Sequence, residues 1–158
     1  MIKINEEFIN KTSDKAKSSP RRRMNYNFHD KPDAKLQRML NAMEPNTYIK
    51  PHKHENPDKV EVFFSLRGRL LVVEFDDNGN ITDHVILDPS NGNFGTEIVP
   101  RTWHTIISLD KNAVAYEIKD GPYSPKEDKN FAPWAPDEGN FNALDYNASI
   151  LKKLGIVW

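Results

Sequence analysis

The sequence predicts an all-β sandwich or barrel with a short helix at each end. Short strand-length runs recur at 36–43, 48–54, 60–66, 70–75, 81–87, 96–99, 103–109 and 113–119. Turn-forming clusters punctuate them: Glu44-Pro45-Asn46, Gly68, Asp76-Asp77-Asn78-Gly79 and Asp88-Pro89-Ser90-Asn91-Gly92-Asn93. Short strands at that spacing suit a sandwich or barrel, and no internal repeat competes with the reading.

At 158 residues the chain is sized for a single domain. Its expected organisation is a helix-and-strand arm over 1–34, a barrel core over 35–120, and a Pro-rich loop with a C-terminal helix over 121–158. The charge is nearly balanced, with 22 Lys and Arg against 23 Asp and Glu. No global field therefore argues for nucleic acid or a membrane, and a small-molecule ligand is the expected partner. The sequence holds no Cys, which removes disulfides, thiolate ligands and a thiol nucleophile. His, Asp and Glu remain as metal-binding vocabulary. The first residues lack the apolar run of a signal peptide, so a cytoplasmic localisation is expected.

Taken in order, residues 5–17 are rich in helix formers, with caps available at Asn5 and at Ser18-Ser19 before Pro20. In 23–29, Arg23, Asn25, Asn27 and His29 share one strand face and Met24, Tyr26 and Phe28 the other. That polar face either lies in water or, with Arg38 from the next strand, binds an anionic or polyhydroxyl ligand. After Gly121-Pro122-Tyr123 a Pro-rich segment carries Phe131 and Trp134, expected to plug the barrel or a subunit contact. Residues 140–154 read as a helix.

The chemistry concentrates at Pro51-His52-Lys53-His54. On a strand, His52 and His54 point the same way and Lys53 the other. Glu61 opens the next strand, and a hairpin return would set it beside both imidazoles. His104 heads a later strand and supplies a third imidazole, with Ile106 and Ser108 on its face. Three imidazoles and a carboxylate suit one divalent ion, Fe, Mn, Ni or Zn, with positions left for water or substrate. Tyr48 shares the parity of His52 and His54 and is the candidate acid or base, ahead of Tyr116.

The His-x-His, the Glu, Gly68 beyond it, and a second block Pro100-Arg101-Thr102-Trp103-His104 resemble the two motifs of the cupin superfamily. The resemblance implies a jelly-roll barrel holding a three-histidine, one-glutamate metal site. Spacing departs from the usual pattern: six residues separate His54 from Glu61, the glycine usual after the proline is absent, and Ser108 stands where asparagine is frequent. Together with 21–29, 37–40, 48–54, Gly121-Pro122-Tyr123 and Trp134-Ala135-Pro136, the chain looks like the WbuC-type cupin-fold metalloproteins. That likeness implies a link to surface-polysaccharide biosynthesis, and the cupin resemblance implies a homodimer, since many small cupins pair edge strands. Two functions stay open: a metal-dependent enzyme acting on a small polar metabolite, and a non-catalytic binding or sensing cupin with a structural metal.

Overall fold

A computed structural model describes residues 1–125 and 128–157. Its strands are β1 (Arg23–Asn27), β2 (Leu36–Met43), β3 (His52–Lys53), β4 (Glu61–Arg67), β5 (Leu70–Phe75), β6 (Ile81–Leu87), β7 (Gly95–Ile98), β8 (Trp103–Ser108), β9 (Ala113–Asp120) and β10 (Asn130–Phe131). They form two five-stranded antiparallel sheets, β1-β2-β9-β4-β7 and β10-β3-β8-β5-β6. Helix α1 (Glu6–Ser18) precedes them and α2 (Ala143–Leu154) follows them. The expected 48–54 strand is shorter than its apolar alternation suggested. Only His52 and Lys53 pair, and before them the Ile49 carbonyl accepts from Thr105 Oγ1 (2.6 Å).

Local chemistry explains the elements. The Asn5 side chain caps α1 by accepting the Phe8 N–H (3.1 Å); Glu6 and Glu7 sit in the first turn and Lys15 and Lys17 in the last, complementing the helix dipole. In the β5–β6 hairpin the Asp76 carboxylate accepts the N–H groups of Asn78 and Asn80. Gly79 takes φ +82° there, and a Cβ on it would lie 2.7 Å from the Trp134 ring, so the position needs glycine for both reasons.

Strand alternation sorts the apolar residues into layers. Met43, Phe63, Leu70, Val72, Leu87, Ile98 and Ile106 fill one half of the space between the sheets. Leu71, Val73, Phe75 and Ile107 face outward and are covered by Ile150 and Leu151 of α2 and by Ala132 and Trp134 of the Pro-rich segment. On the opposite outer face, α1 lays Ile9 and Ala16 over Leu40, Ala42 and Val114. Trp134 thus packs outside the barrel, and Phe131 is half exposed. No described helix is long and apolar enough to cross a membrane.

Leu71 is fully buried beneath α2, whereas Leu144 of α2 is 42% exposed. Leu71→Ala should cost about 2–5 kcal/mol and Leu144→Ala less than about 0.5 kcal/mol. Chemical denaturation checks this; equal losses would contradict the layering.

Candidate metal centre

The half of the barrel not filled by aliphatic side chains is lined by imidazoles and charge. The β3–β8 register sets His52 directly opposite His104, and His54 follows two residues after His52 on the same face. The three rings sit with centroids 4.5–5.6 Å apart. Glu61 completes the group, but not through a hairpin with β3. It belongs to the other sheet, where β4 pairs with β7 and β9, and it reaches the imidazoles across the barrel interior. One donor atom from each of His52, His54, Glu61 and His104 lies within 4.8 Å of the others. All four residues are 1–3% exposed.

The backbone decides which ring nitrogen each histidine offers. Nδ1 of His52 meets the Lys50 carbonyl (3.0 Å), Nδ1 of His104 the Thr102 carbonyl (2.9 Å), and Nδ1 of His54 the Asp128 carbonyl. A carbonyl only accepts, so each Nδ1 carries a proton, and Nε2 is the atom through which each ring, when neutral, offers a lone pair inward. Nε2 of His104 and of His54 lie 2.8 and 3.2 Å from Glu61 Oε2. Two lone pairs facing an anionic oxygen repel unless a cation lies among them. Nε2 of His52 is buried without any partner among the described residues. For ligand bonds of about 2.1 Å, adjacent donors on an octahedron lie about 3.0 Å apart, matching these separations. The donor set and its orphaned nitrogen therefore fit a divalent cation.

The neighbouring charges are buried as well. Burial opposes the charge on Glu61, and the Lys119 ammonium, its cross-strand partner, favours it. Burial first, then the Lys129 charge, pushes His52 well below an ordinary imidazole. Glu117 is pushed up to about 8 by burial and by Glu61 beside it. Lys119 and Lys59 both donate to Asp128 (2.6 and 2.8 Å), and Asn41 donates to Glu117 (3.0 Å). One loop thus serves two roles, since the Asp128 carbonyl orients His54 while its carboxylate pairs both ammoniums.

Turn geometry ties the two histidine segments together. The Arg101 N–H donates to the His54 carbonyl (3.0 Å), and Arg101 adopts φ +69°, the left-handed conformation that glycine would take after Pro100. Arg101 supplies that turn while its guanidinium pairs Asp58 (3.0 Å) at the surface.

A cleft of about 460 Å³ opens above Glu117, Lys119, Asp128 and Lys129. Arg23, Asn25, Asn27 and His29 all line it. Arg23 donates to the Tyr48 carbonyl (2.7 Å) and to Glu138 (2.6 Å), so its guanidinium ties the arm to the C-terminal segment. His29 Nδ1 accepts the Arg38 N–H (3.1 Å), and the Asn25 amide donates to Asn27 (2.7 Å). Arg38 lies elsewhere. It shares the parity of Leu40 and Ala42, which face α1, and its guanidinium donates to the Phe28 carbonyl (3.2 Å). Tyr48 also turns away: its hydroxyl donates to the Pro136 carbonyl (2.7 Å) and its ring packs on Tyr146. Tyr116 packs on Phe28 beneath α1. Neither tyrosine lines the cleft. Glu117 and Lys119, which sequence reasoning missed, alternate with Ala113 and Ala115 of the inner core, a parity signal legible in β9. Asp128 and Lys129 sit in irregular backbone and carry no such signal.

Residues 4–87 match a family model described as Domain of unknown function (DUF6016). The chain belongs to this family. The DUF6016 match spans α1 to β6 and contains His52, His54 and Glu61, with His104 beyond it. No curated protein matches the chain. Among solved structures, a cupin 2 domain-containing protein from Halorhodospira halophila is 19% identical, with 83% of this chain and 81% of that chain covered at a TM-score of 0.50. An L-ribose isomerase from Cellulomonas parahominis, solved with L-ribose, is 15% identical, covering 74% of this chain and 72% of that chain at 0.55. The capsular polysaccharide assembling protein CapF from Staphylococcus aureus is 18% identical, covering 68% of this chain but 28% of that chain, also at 0.55. These likenesses show that this DUF6016 member has the cupin fold.

Two solution properties follow for the metal-free protein. Nitrogen NMR at neutral pH should find His52 as the Nδ1–H tautomer, since the Lys50 carbonyl requires a donor; an Nε2–H ring would contradict the geometry. Because His52 is lowered in the folded state, the unfolded chain binds more protons below about 6.5. Its contribution is present above that pH and lost as pH falls through it, so apo stability should decline on acidification; a flat profile between about pH 7.5 and 5.5 would contradict it.

Proposed function

We propose that this DUF6016 member is a metal-dependent cupin enzyme acting on a small polar metabolite, sugar-like or anionic. His52, His54, Glu61 and His104 would hold one divalent ion, Fe, Mn, Ni or Zn. The observation that carries the proposal is the buried convergence of Nε2 lone pairs on Glu61 Oε2, with that of His52 left without a partner among the described residues. When bound, the ion would act as a Lewis acid towards a ligand oxygen.

The chain's own groups define the surroundings. The Lys50, Thr102 and Asp128 carbonyls fix ring orientation, and Lys119 supports the Glu61 charge. Glu117, diagonal to Glu61 across the β4–β9 register and raised to about 8, sits at the cleft floor in the range of a group that exchanges a proton near neutral pH. It is a better-placed acid or base than Tyr48. A link to surface-polysaccharide biosynthesis is supported by the WbuC-type motif resemblance and by the fold shared with CapF. A cytoplasmic location is part of the same proposal.

The near-complete burial of all four donors favours a second reading, a non-catalytic binding cupin whose metal is structural. Water proton relaxation of the Mn(II)-loaded chain separates them. Enhanced relaxation shows an open coordination position, as an enzyme needs; no enhancement favours the structural role.

Elemental analysis of untagged protein should find one ion per chain, and His54→Ala or Glu61→Gln should weaken metal binding at least about tenfold, in the range seen when metal-site support is lost. Wild-type affinity in His54→Ala would overturn the assignment. Since protons compete for Nε2, metal occupancy should fall as pH drops through about 6.5, with the melting temperature falling in step.

A further inference from the structure

Among the described residues, the cleft floor holds one cation without a partner. Lys59 and Lys119 share Asp128. Lys129 lines the same cleft and is partly buried, yet among the described residues its ammonium makes neither a hydrogen bond nor a salt bridge. It follows Asp128, whose carbonyl orients His54, so it enters the cleft on the stretch of chain that borders the metal centre.

Charge balance says what would satisfy it. Around the floor the ammoniums of Lys59, Lys119 and Lys129 stand against the carboxyl groups of Glu61, Glu117 and Asp128, which carry no net negative charge together with them whether or not Glu117 is protonated. A divalent ion adds two positive charges that this set leaves uncompensated. In a site so removed from water, uncompensated charge is costly, and an anion entering from the cleft offsets it. At the rim, Arg21 and Lys31 add positive charge against Asp30.

The arginines expected to grip an anion have protein partners in the structure. Arg23 is committed to Tyr48 and Glu138, and Arg38 faces out of the barrel. The amides remain suited to hydroxyls: with Asn25 Nδ2 bonded to Asn27 Oδ1, the Asn25 carbonyl oxygen and the Asn27 amino group keep bonding capacity. The volume of about 460 Å³ suits a small metabolite.

We propose that the cleft selects a small hydroxyl-bearing dianion and that Lys129 is the residue that determines this specificity, a reading that rests on the metal centre proposed above. The Lys129 ammonium pairs one end of the dianion, Asn25 and Asn27 bond its hydroxyls, and the second negative charge lies towards the ion. Both a sugar phosphate and an aldaric acid have this chemistry.

Titration calorimetry on the metal-loaded full chain tests it with three probes: ribose 5-phosphate, galactarate and neutral ribose. At least one dianion should bind about tenfold or more tightly than ribose, and which one does identifies the source of the charge. Lys129→Met should lower that affinity at least about tenfold, the scale of a lost charge-assisted bond, while Lys129→Arg retains most of it. Metal content and melting temperature should stay at wild-type values in both variants. Absence of dianion binding by metal-loaded wild type, equal affinity for ribose, or an unchanged dianion affinity in Lys129→Met would each overturn the proposal. Should Lys129→Met fold poorly, Lys129→Gln and the selectivity of wild type among the probes decide the same question. A chain that takes up no metal refutes the metal centre itself, whereas a metal-loaded chain indifferent to charge refutes only the Lys129 assignment.

Discussion

Three backbone carbonyls, those of Lys50, Thr102 and Asp128, determine what the barrel interior can do. By accepting from Nδ1 they turn the Nε2 atoms of His54 and His104 onto one carboxylate oxygen and leave that of His52 buried beside them without a partner among the described residues, an arrangement that costs energy until a cation occupies it. A single buried polar group without a partner already costs about 1–3 kcal/mol, and here a carboxylate is involved as well. Much of the adjoining structure answers that constraint. The β3–β8 register holds two of the rings opposite each other, the Arg101 turn fastens the two histidine segments, and Lys119 stands beside Glu61 to offset its charge.

The two sheets contribute different chemistry. The β3–β8 sheet supplies imidazoles, and the β4–β9 sheet supplies Glu61, Glu117 and Lys119. Neither alone makes a site, so the centre depends on the sheets being packed face to face at a fixed distance. That distance is set in the other half of the barrel, where Phe63, Leu70, Val72 and Ile106 fill the space. The helices lie outside both sheets and stiffen the walls without entering the site. A binding centre assembled across a packed core is held more rigidly than one built on loops, which suits a metal that needs donors placed to within a few tenths of an ångström.

Much of this is legible in the sequence, because alternation is a strict geometric rule. Strands β1, β2 and β4 to β9, both helices and the shared face of His104 with Ile106 follow from it directly, whereas β3 is shorter than expected and β10 falls in the segment read as a Pro-rich loop. Alternation says which face a residue is on, but not which strand lies opposite. For that reason Glu61, expected from a hairpin, instead arrives from the facing sheet. Tyr48 shares a parity with His52 in sequence, but the chain is irregular between them, so parity does not carry through and its hydroxyl turns to Pro136. Arg38, expected beside the polar face of the arm, follows its own parity with Leu40 and Ala42, and its guanidinium meets the Phe28 carbonyl. Asp128 and Lys129 belong to irregular chain, where no period exists to be read.

X-ray absorption at the metal edge of the purified, metal-loaded protein tests the central claim most directly. A first shell of nitrogen and oxygen at about 2.0–2.2 Å, with the outer-shell scattering of three imidazoles, is the predicted result. An oxygen-only shell, or a signal from fewer than two imidazoles, would mean that the ion binds elsewhere and that the convergence of His52, His54 and His104 on Glu61 is not a metal centre.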